Sequence, residues 1–198
     1  MKILLTGKTG QVGFELERSL QGLGEIIALD RSRMDLANLA QVRDVIRAIK
    51  PQLIINPAAY TAVDKAESEP ELAMRINGEA PGVIAEEAKK LGAAMIHYST
   101  DYVFDGSKKT SYVETDRTCP INVYGATKLA GEQAALAPSA RHMAVRVAWV
   151  FGPDKPSFVD QIIERALAND RVEAIANKTS CMTFTEDVSR WLRPFLDG

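Results

Sequence analysis

A doubly wound α/β fold, one parallel sheet with helices on both faces, is the class this sequence predicts. Three observations lead to it. Short β-rich apolar runs alternate with longer helical patterns along the chain. The runs are apolar at consecutive positions, so their strands need cover on both faces, as a parallel sheet requires. A glycine-rich turn, "LLTGKTGQVG", joins the first run directly to the first helical pattern, and right-handed crossovers then wind the chain to both sides of the sheet.

The elements follow in order. "KILLTG" (2–7) reads as a buried strand and "QVGFELERSLQGLG" (11–24) as an amphipathic helix. "EIIALD" (25–30) is the second strand. "NLAQVRDVIRAIK" (38–50) is a helix closed by Pro51, because proline cannot continue the amide ladder. "QLIINPAA" (52–59) is the third strand. Apolar residues at helical spacing from about Glu71 to Lys90 predict a long helix, and "AAMIHYS" (93–99) the fourth strand. A polar, loop-like segment runs to Asn122 and leads into a helix carrying Tyr124. "HMAVRVAWV" (142–150) is a strand and "SFVDQIIERALAN" (157–169) a helix. Beyond Asp170, "VEAIA" (172–176) is a candidate strand, and "FTEDVSRWLRPFL" a short helix interrupted by Pro194. The chain contains neither an internal repeat nor a low-complexity linker.

Bulk properties exclude several functions. A chain of 198 residues accommodates one large domain, or one domain and part of another. Apolar residues at 46% and charged residues at 25% are ordinary for a soluble globular protein. A formal net charge of −2 offers no basic footprint for nucleic acid. Cys119 and Cys181 stand in no metal-ligand spacing and are expected as reduced thiols. "MKILLTG" enters a strand at once without a cleavable signal pattern, and no apolar stretch is long enough to span a bilayer. The expected location is the cytoplasm, with no metal site. His97, mid-strand, reads as a satisfied core histidine and His142 as an exposed one.

The glycine turn carries the first functional signal. Gly7, Gly10 and Gly13 form G-x-x-G-x-x-G, one residue away from the G-x-G-x-x-G dinucleotide fingerprint. Gly7 permits the tight turn, Gly10 lets backbone N–H groups approach a pyrophosphate, and Gly13 lets helix and strand pack closely. Thr9, Gln11 and Val12 complete the turn and are assigned to the cofactor with it. Asp30, ending the second strand, stands where an acid hydrogen-bonds the adenine ribose 2′-OH. Arg31 and Arg33 follow it and Lys8 lies in the turn, so the same corner could take a 2′-phosphate. NAD and NADP both stay open on these residues. The second signal is "INVYGATKLAGE" (121–132), with Tyr124 and Lys128 four apart. That spacing suits a phenol and an ammonium set for proton transfer, and equally an ordinary amphipathic helix.

With the glycine turn, "INPAAYTAVDKAESEPELA" (55–73), "HYSTDYVFDG" (97–106) and "YGATKLAGE" (124–132), the chain resembles the extended short-chain dehydrogenase/reductases. Within them it is most similar to the dTDP-4-dehydrorhamnose reductase family. The likeness runs from Lys2 to about Gly152. It implies an NAD(P)-binding Rossmann domain over 1–152. Over 153–198 it implies the remainder of that domain and a bridge into a smaller substrate-binding lobe. That C-terminal lobe is expected to be largely missing, and Ser180 and Met182 stand where the family pattern has glycine and proline.

The resemblance implies an NAD(P)H-dependent oxidoreductase of nucleotide-sugar biosynthesis. Its reaction is hydride transfer to the C4 keto group of dTDP-4-dehydro-L-rhamnose, giving dTDP-L-rhamnose. NADPH is the expected cofactor and NADH the alternative. The expected partner is a nucleotide-linked keto sugar, with no nucleic acid and no membrane, and the resemblance allows a homodimer. It also admits a second function, a non-catalytic NADP-binding regulatory subunit similar to the β subunit of methionine adenosyltransferase.

Ketone reduction needs a proton donor for the developing alkoxide and a second group to hold the carbonyl. Tyr124 fits the first role. A free phenol has a pKa of about 10, and Lys128 on the same helix face is expected to lower it. By resemblance Lys128 also holds the nicotinamide ribose, and Thr100 completes the triad. Ser99 beside it faces the other side of the strand. Asp101 is followed by Tyr102, where the related sugar-nucleotide dehydratases carry an Asp-Glu pair, so reduction is favoured over dehydration. Also by resemblance, Ala58, Ala59 and Tyr60 run along the cofactor ribose and pyrophosphate, with Asp35 and Leu36 near the adenine. Val63, Asp101, Tyr102, Phe104 and Trp149 line the sugar pocket with Thr100 and Tyr124. Asp64, Lys65 and Glu67 read as a solvated helix start.

Overall fold

The computed structural model describes residues 1–153, 156–173 and 179–196. Five parallel strands form its main sheet: β1 (Lys2–Leu5), β2 (Glu25–Ala28), β3 (Leu53–Asn56), β4 (Ala94–Thr100) and β5 (His142–Val147), in the order β2-β1-β3-β4-β5. Helices α1 (Gln11–Ser19), α2 (Leu39–Ile49), α3 (Val63–Ala66), α4 (Pro70–Met74), α5 (Ala80–Lys90) and α6 (Val123–Leu136) connect them. A two-stranded parallel ribbon follows, β6 (Val150–Phe151) with β7 (Thr183–Phe184), between which runs α7 (Phe158–Ala168); α8 (Thr185–Leu192) comes last.

The consecutive apolar residues of the strands are what make this a two-faced sheet. Side chains alternate across a strand. Leu4, Ile54 and Met95 therefore meet Val42 and Ile46 of α2 and Val83 and Ile84 of α5 on one face. Ile3, Leu5, Ile55, Ile96 and Tyr98 meet Leu16 of α1 and Val188 and Leu192 of α8 on the other. The doubly wound fold expected from the sequence is the fold observed. From β1 the chain steps outward to β2 and then crosses to β3 on the far side of β1. The connections diverge at the carboxyl ends of β1 and β3, and such a switch point is where open α/β sheets form a crevice that binds ligands.

Several boundaries differ from the sequence reading. α1 stops at Ser19 because the chain turns through Gly22 and Gly24. The long helix over 71–90 is present but contains a π-helical turn, Arg75–Glu79. The strand expected over 142–150 breaks after Val147, since Trp149 takes a left-handed φ of 42° and Val150 joins the second ribbon. Pro194 sits in a 3-10 turn, Arg193–Phe195, that closes α8. Of the strand expected over 172–176, Val172 and Glu173 lie in coil and the rest falls outside the described residues. His142 is buried rather than exposed, because its ring nitrogen Nδ1 bonds the Ala135 carbonyl at 2.8 Å where α6 covers β5. Among the described residues no helix is long and apolar enough to cross a membrane.

One ion pair fastens α2 to α5. Glu87 is buried, and its oxygens accept from Arg47 at 2.7 and 2.9 Å and from Lys90 at 2.7 Å. The Arg47 guanidinium is the first cause that draws the carboxyl from 4.5 down to about 2. A carboxyl whose pKa is lowered by folding stabilises the fold above its unfolded value, and that contribution is lost as pH falls through the folded one. Glu87→Gln is expected to cost about 1.5–3 kcal/mol at neutral pH. In thermal melts the gap to the unmutated chain should narrow as pH drops from 4.5 toward about 2.

Candidate active site

The turn after β1 is built by backbone contacts that exclude side chains. Gly7 has φ of 61°, a conformation glycine adopts without strain. A Cβ on Gly13 would lie 2.1 Å from the Gly7 carbonyl oxygen, so α1 packs directly on the turn. Gly10 caps α1 without a side chain, and the amides of Gln11, Val12 and Gly13 have no carbonyl four residues back within the helix. Thr9 and Gly10 are exposed. This positive helix end, open at the crevice, suits an anion.

Beside it the turn after β2 is held by Asp30. Its Oδ1 accepts from Ser32 Oγ at 2.5 Å, Ser32 N at 3.0 Å and Arg33 N at 3.3 Å. The Ser32 hydroxyl is the main reason its carboxyl lies below the usual range, and the Lys8 charge adds to it. Arg31 pairs with Asp35 at 3.5 Å, and Leu36 turns into the core under α2 and α5. A cleft of about 470 Å³ lies next along the chain, lined by Ala37, Asn38, Leu39, Arg75 and Glu79. Arg75 and Glu79 went unnoticed in the sequence, where they are two charges on a helical pattern.

The loop after β3 is tied in two directions. Ala58 N donates to Thr6 Oγ1 at 3.4 Å, Thr6 Oγ1 to Asn56 Oδ1 at 2.6 Å, and Asn56 Nδ2 to His97 Nδ1 at 3.1 Å. His97 Nε2 therefore carries the ring proton, and among the described residues it has no hydrogen-bond partner. On the other side Asn77, buried in the π-helical turn, accepts from Tyr60 N at 2.8 Å and donates to Tyr60 O at 3.0 Å and Thr127 Oγ1 at 3.3 Å. Thr127 Oγ1 in turn donates to the Tyr124 carbonyl at 2.8 Å. Asn77 thus links the loop after β3 to α6, a role the sequence analysis missed. The available signal was an amide inside the otherwise helical "RINGEAPG". Asn77→Leu keeps the volume but strands both Tyr60 backbone groups, so it should cost about 2–4 kcal/mol in urea denaturation.

The segment read as a solvated helix start is exposed at Asp64, Lys65 and Glu67 and forms α3, and two of these side chains also bond neighbours. Tyr60 Oη donates to Glu69 Oε2 at 2.7 Å, and Lys65 pairs with Glu69 at 2.8 Å. Glu67 Oε1 accepts from Val123 N at 2.9 Å, the first amide of α6. Of the three, Asp64 alone has no described side-chain bond. The bond from Val123 to Glu67 joins residues 56 apart, beyond the reach of a helix-start pattern.

Thr100 is the last residue of β4 and is buried. Its Oγ1 donates to Asp101 Oδ1 at 3.1 Å and accepts from Tyr102 N at 3.2 Å. Tyr124 enters beside it because Asn122 caps α6 by accepting from Gly125 N at 2.7 Å. Burial pushes the Tyr124 phenol up to about 12; the hydrogen bond with Thr100 opposes this, and Asp101 and Tyr102 add to it. The expected lowering by Lys128 is therefore not the net result. Lys128 is buried, donates from Nζ to the Tyr98 carbonyl at 2.6 Å, and is itself brought down to about 8 by burial against the pull of Glu132. A phenol in this state keeps its proton at neutral pH and can give it away only to a strong base such as an alkoxide.

Around this centre Tyr102 meets the Tyr124 ring edge-on at 5.6 Å. Asp101 Oδ2 accepts from Ser180 Oγ at 3.3 Å, which brings the C-terminal segment over the site. Phe104 stacks on Tyr112 at 4.1 Å, and Trp149 meets Phe158 edge-on at 4.8 Å. Val63 is half-buried on α3. Thr100, Asp101, Tyr102 and Tyr124 form one contact group, with Lys128 one turn further along α6. The glycine turn and Ala58 form a second group, and Phe104 and Trp149 each belong to a separate aromatic pair. No cluster of metal-ligating side chains occurs among the described residues.

Comparison with known proteins places this geometry. The family model described as RmlD substrate binding domain matches residues 1–198. The dTDP-4-dehydrorhamnose reductase of Burkholderia thailandensis is 42% identical over 198 residues, covering all of this chain and 64% of the relative. The chain thus spans under two thirds of that relative's length. The crystal structure of a dTDP-4-dehydrorhamnose reductase from Clostridium acetobutylicum superposes with a TM-score of 0.94 at 37% identity, covering 100% of this chain and 70% of that one. That of the Bacillus anthracis dTDP-4-dehydrorhamnose reductase in complex with NADP gives 0.93 at 32% identity, covering 99% and 70%.

Proposed function

The chain belongs to the RmlD substrate binding domain family, and on that premise we propose that it reduces the C4 keto group of dTDP-4-dehydro-L-rhamnose with NADPH. The observation that carries this reading is the grouping of Thr100 and a proton-retaining Tyr124 at the end of β4, with Lys128 one helical turn away. The reductase names of the relatives weigh against a purely regulatory subunit.

The residues present fit a dinucleotide. At Gly10 a Cβ would meet only the Gly7 carbonyl oxygen, at 3.4 Å, so the start of α1 stays open to a pyrophosphate. Gly7, Thr9, Gln11, Val12 and Gly13 would hold the phosphates, with Ala58, Ala59 and Tyr60 along the ribose side. Asp30, Arg31, Asp35 and Leu36 would flank the adenosine end. Bound NADPH supplies the hydride that C4 receives.

The chain's own groups manage the proton. The Thr100 hydroxyl orients the sugar carbonyl oxygen beside the Tyr124 phenol. As C4 gains its hydride the oxygen becomes an alkoxide, a base strong enough to take the phenol proton. Lys128, as an ammonium, stabilises the phenolate that results and steadies the nicotinamide ribose. Val63, Asp101, Tyr102, Phe104 and Trp149 are assigned to the walls that hold the sugar. Incubation with dTDP-4-dehydro-L-rhamnose and NADPH should consume the cofactor and yield dTDP-L-rhamnose. Tight NADPH binding without oxidation across a panel of nucleotide-linked keto sugars would overturn this reading.

A further inference from the structure

Lys128 is 2% exposed, and an ammonium in such a place is unfavourable unless an opposite charge stands near it. Its bond to the Tyr98 carbonyl supplies a dipole but no charge. One turn further along the same face of α6 is Glu132, 5% exposed. Arg146 of β5 clamps that carboxylate from two sides, Nε to Oε2 at 3.0 Å and Nη2 to Oε1 at 2.5 Å. This forked pairing satisfies both oxygens at once and fixes where the negative charge sits. The same guanidinium lies 5.0 Å over the ring of Phe104.

We infer that Glu132 is a positioning residue: clamped by Arg146, it is the fixed countercharge that keeps Lys128 an ammonium, and Arg146 ties that charge to the Phe104 wall. The inference rests on the reading of Lys128 as the cation of a reductase site. A structural pair that merely held α6 on β5 would leave the charge of Lys128 unchanged. The Glu132 charge instead acts on Lys128, against the burial that brings it to about 8. The other ionisable groups around Lys128 do not substitute for it. His97 of β4 is held neutral by burial and by Lys128 itself. Tyr124 keeps its proton, and Asp101 acts on Tyr124. The π-helical turn brings only the uncharged Asn77, through Thr127.

The test reads Lys128 directly. The full chain, labelled with carbon-13 at lysine Cε, is titrated by NMR from about pH 6 to about pH 11, and the Lys128 signal is assigned by its loss in Lys128→Met. It should titrate near 8. In Glu132→Gln its midpoint should drop by about one pH unit or more, because the carboxylate that opposes the burial of Lys128 is gone. An unmoved midpoint in Glu132→Gln, with an unchanged circular dichroism spectrum, overturns the inference. The alkaline limb of turnover should move with the midpoint. If the unmutated chain turns over no keto sugar, the reductase reading fails while the titration still decides this one.

Discussion

Tyr124→Phe is expected to lower turnover of the keto sugar by about 100- to 10,000-fold, because it removes the acid that quenches the alkoxide and leaves the ring in place. The fold should be untouched. Neither the Asn122 cap nor the link from Thr127 to the Tyr124 carbonyl uses the phenol oxygen. NADPH affinity should fall by roughly tenfold at most, the worth of a single hydrogen bond. The pH profile separates the two members of the pair. With the phenol pushed up to about 12, Tyr124 keeps its proton throughout the neutral and mildly alkaline range. Lys128, brought down to about 8, is charged below that pH and loses its charge above it. Activity of the unmutated chain should therefore decline as pH rises through about 8. A Tyr124→Phe variant with turnover near that of the parent would remove the phenol from the chemistry.

The second large effect is expected at the glycine turn. In Gly13→Ala the new methyl would sit 2.1 Å from the Gly7 carbonyl oxygen and 3.0 Å from Lys8 N, and both are backbone atoms with no rotamer to change. α1 must move off the turn, at a cost of about 1–3 kcal/mol from overpacking. The same displacement carries the amides of residues 11 to 13 away from the phosphate position. Calorimetric titration should show NADPH binding weakened by about 10- to 100-fold. Gly10→Ala is the informative contrast. Its Cβ makes only an ordinary contact at 3.4 Å, so stability should hold while binding still suffers. Equal NADPH affinity in Gly10→Ala and the parent would mean that the phosphates do not lie against this turn.

Much of the framework was legible in the chain itself. Consecutive apolar residues at Ile3–Leu5, Leu53–Ile55 and Met95–Ile96 announce strands buried on both faces, because period-two alternation sends neighbours to opposite sides. The glycine spacing is equally local. Gly7 needs its left-handed φ and Gly13 its missing Cβ for reasons contained within seven residues of turn. Tyr124 and Lys128 four apart must share a helix face, and an Asn-capped helix brings both to the end of β4.

The rest depends on neighbours distant in sequence. The four-residue spacing to Lys128 suggested a lowered phenol, but burial outweighs the one opposing cause, the hydrogen bond with Thr100, and the shift is upward. Glu67 is exposed as expected, yet it also takes the amide at the start of α6, 56 residues on, which no local pattern announces. Asn77 became a bridge only when the π-helical turn set it between Tyr60 and Thr127. His142 was buried by a carbonyl of α6. The amino-acid order thus determined which backbone forms were affordable and which residues could carry chemistry, since both follow from local sterics and side-chain type. Protonation, hydrogen-bond partners and the break at Trp149 were decided by the tertiary structure, because desolvation and charge act through space rather than along the chain.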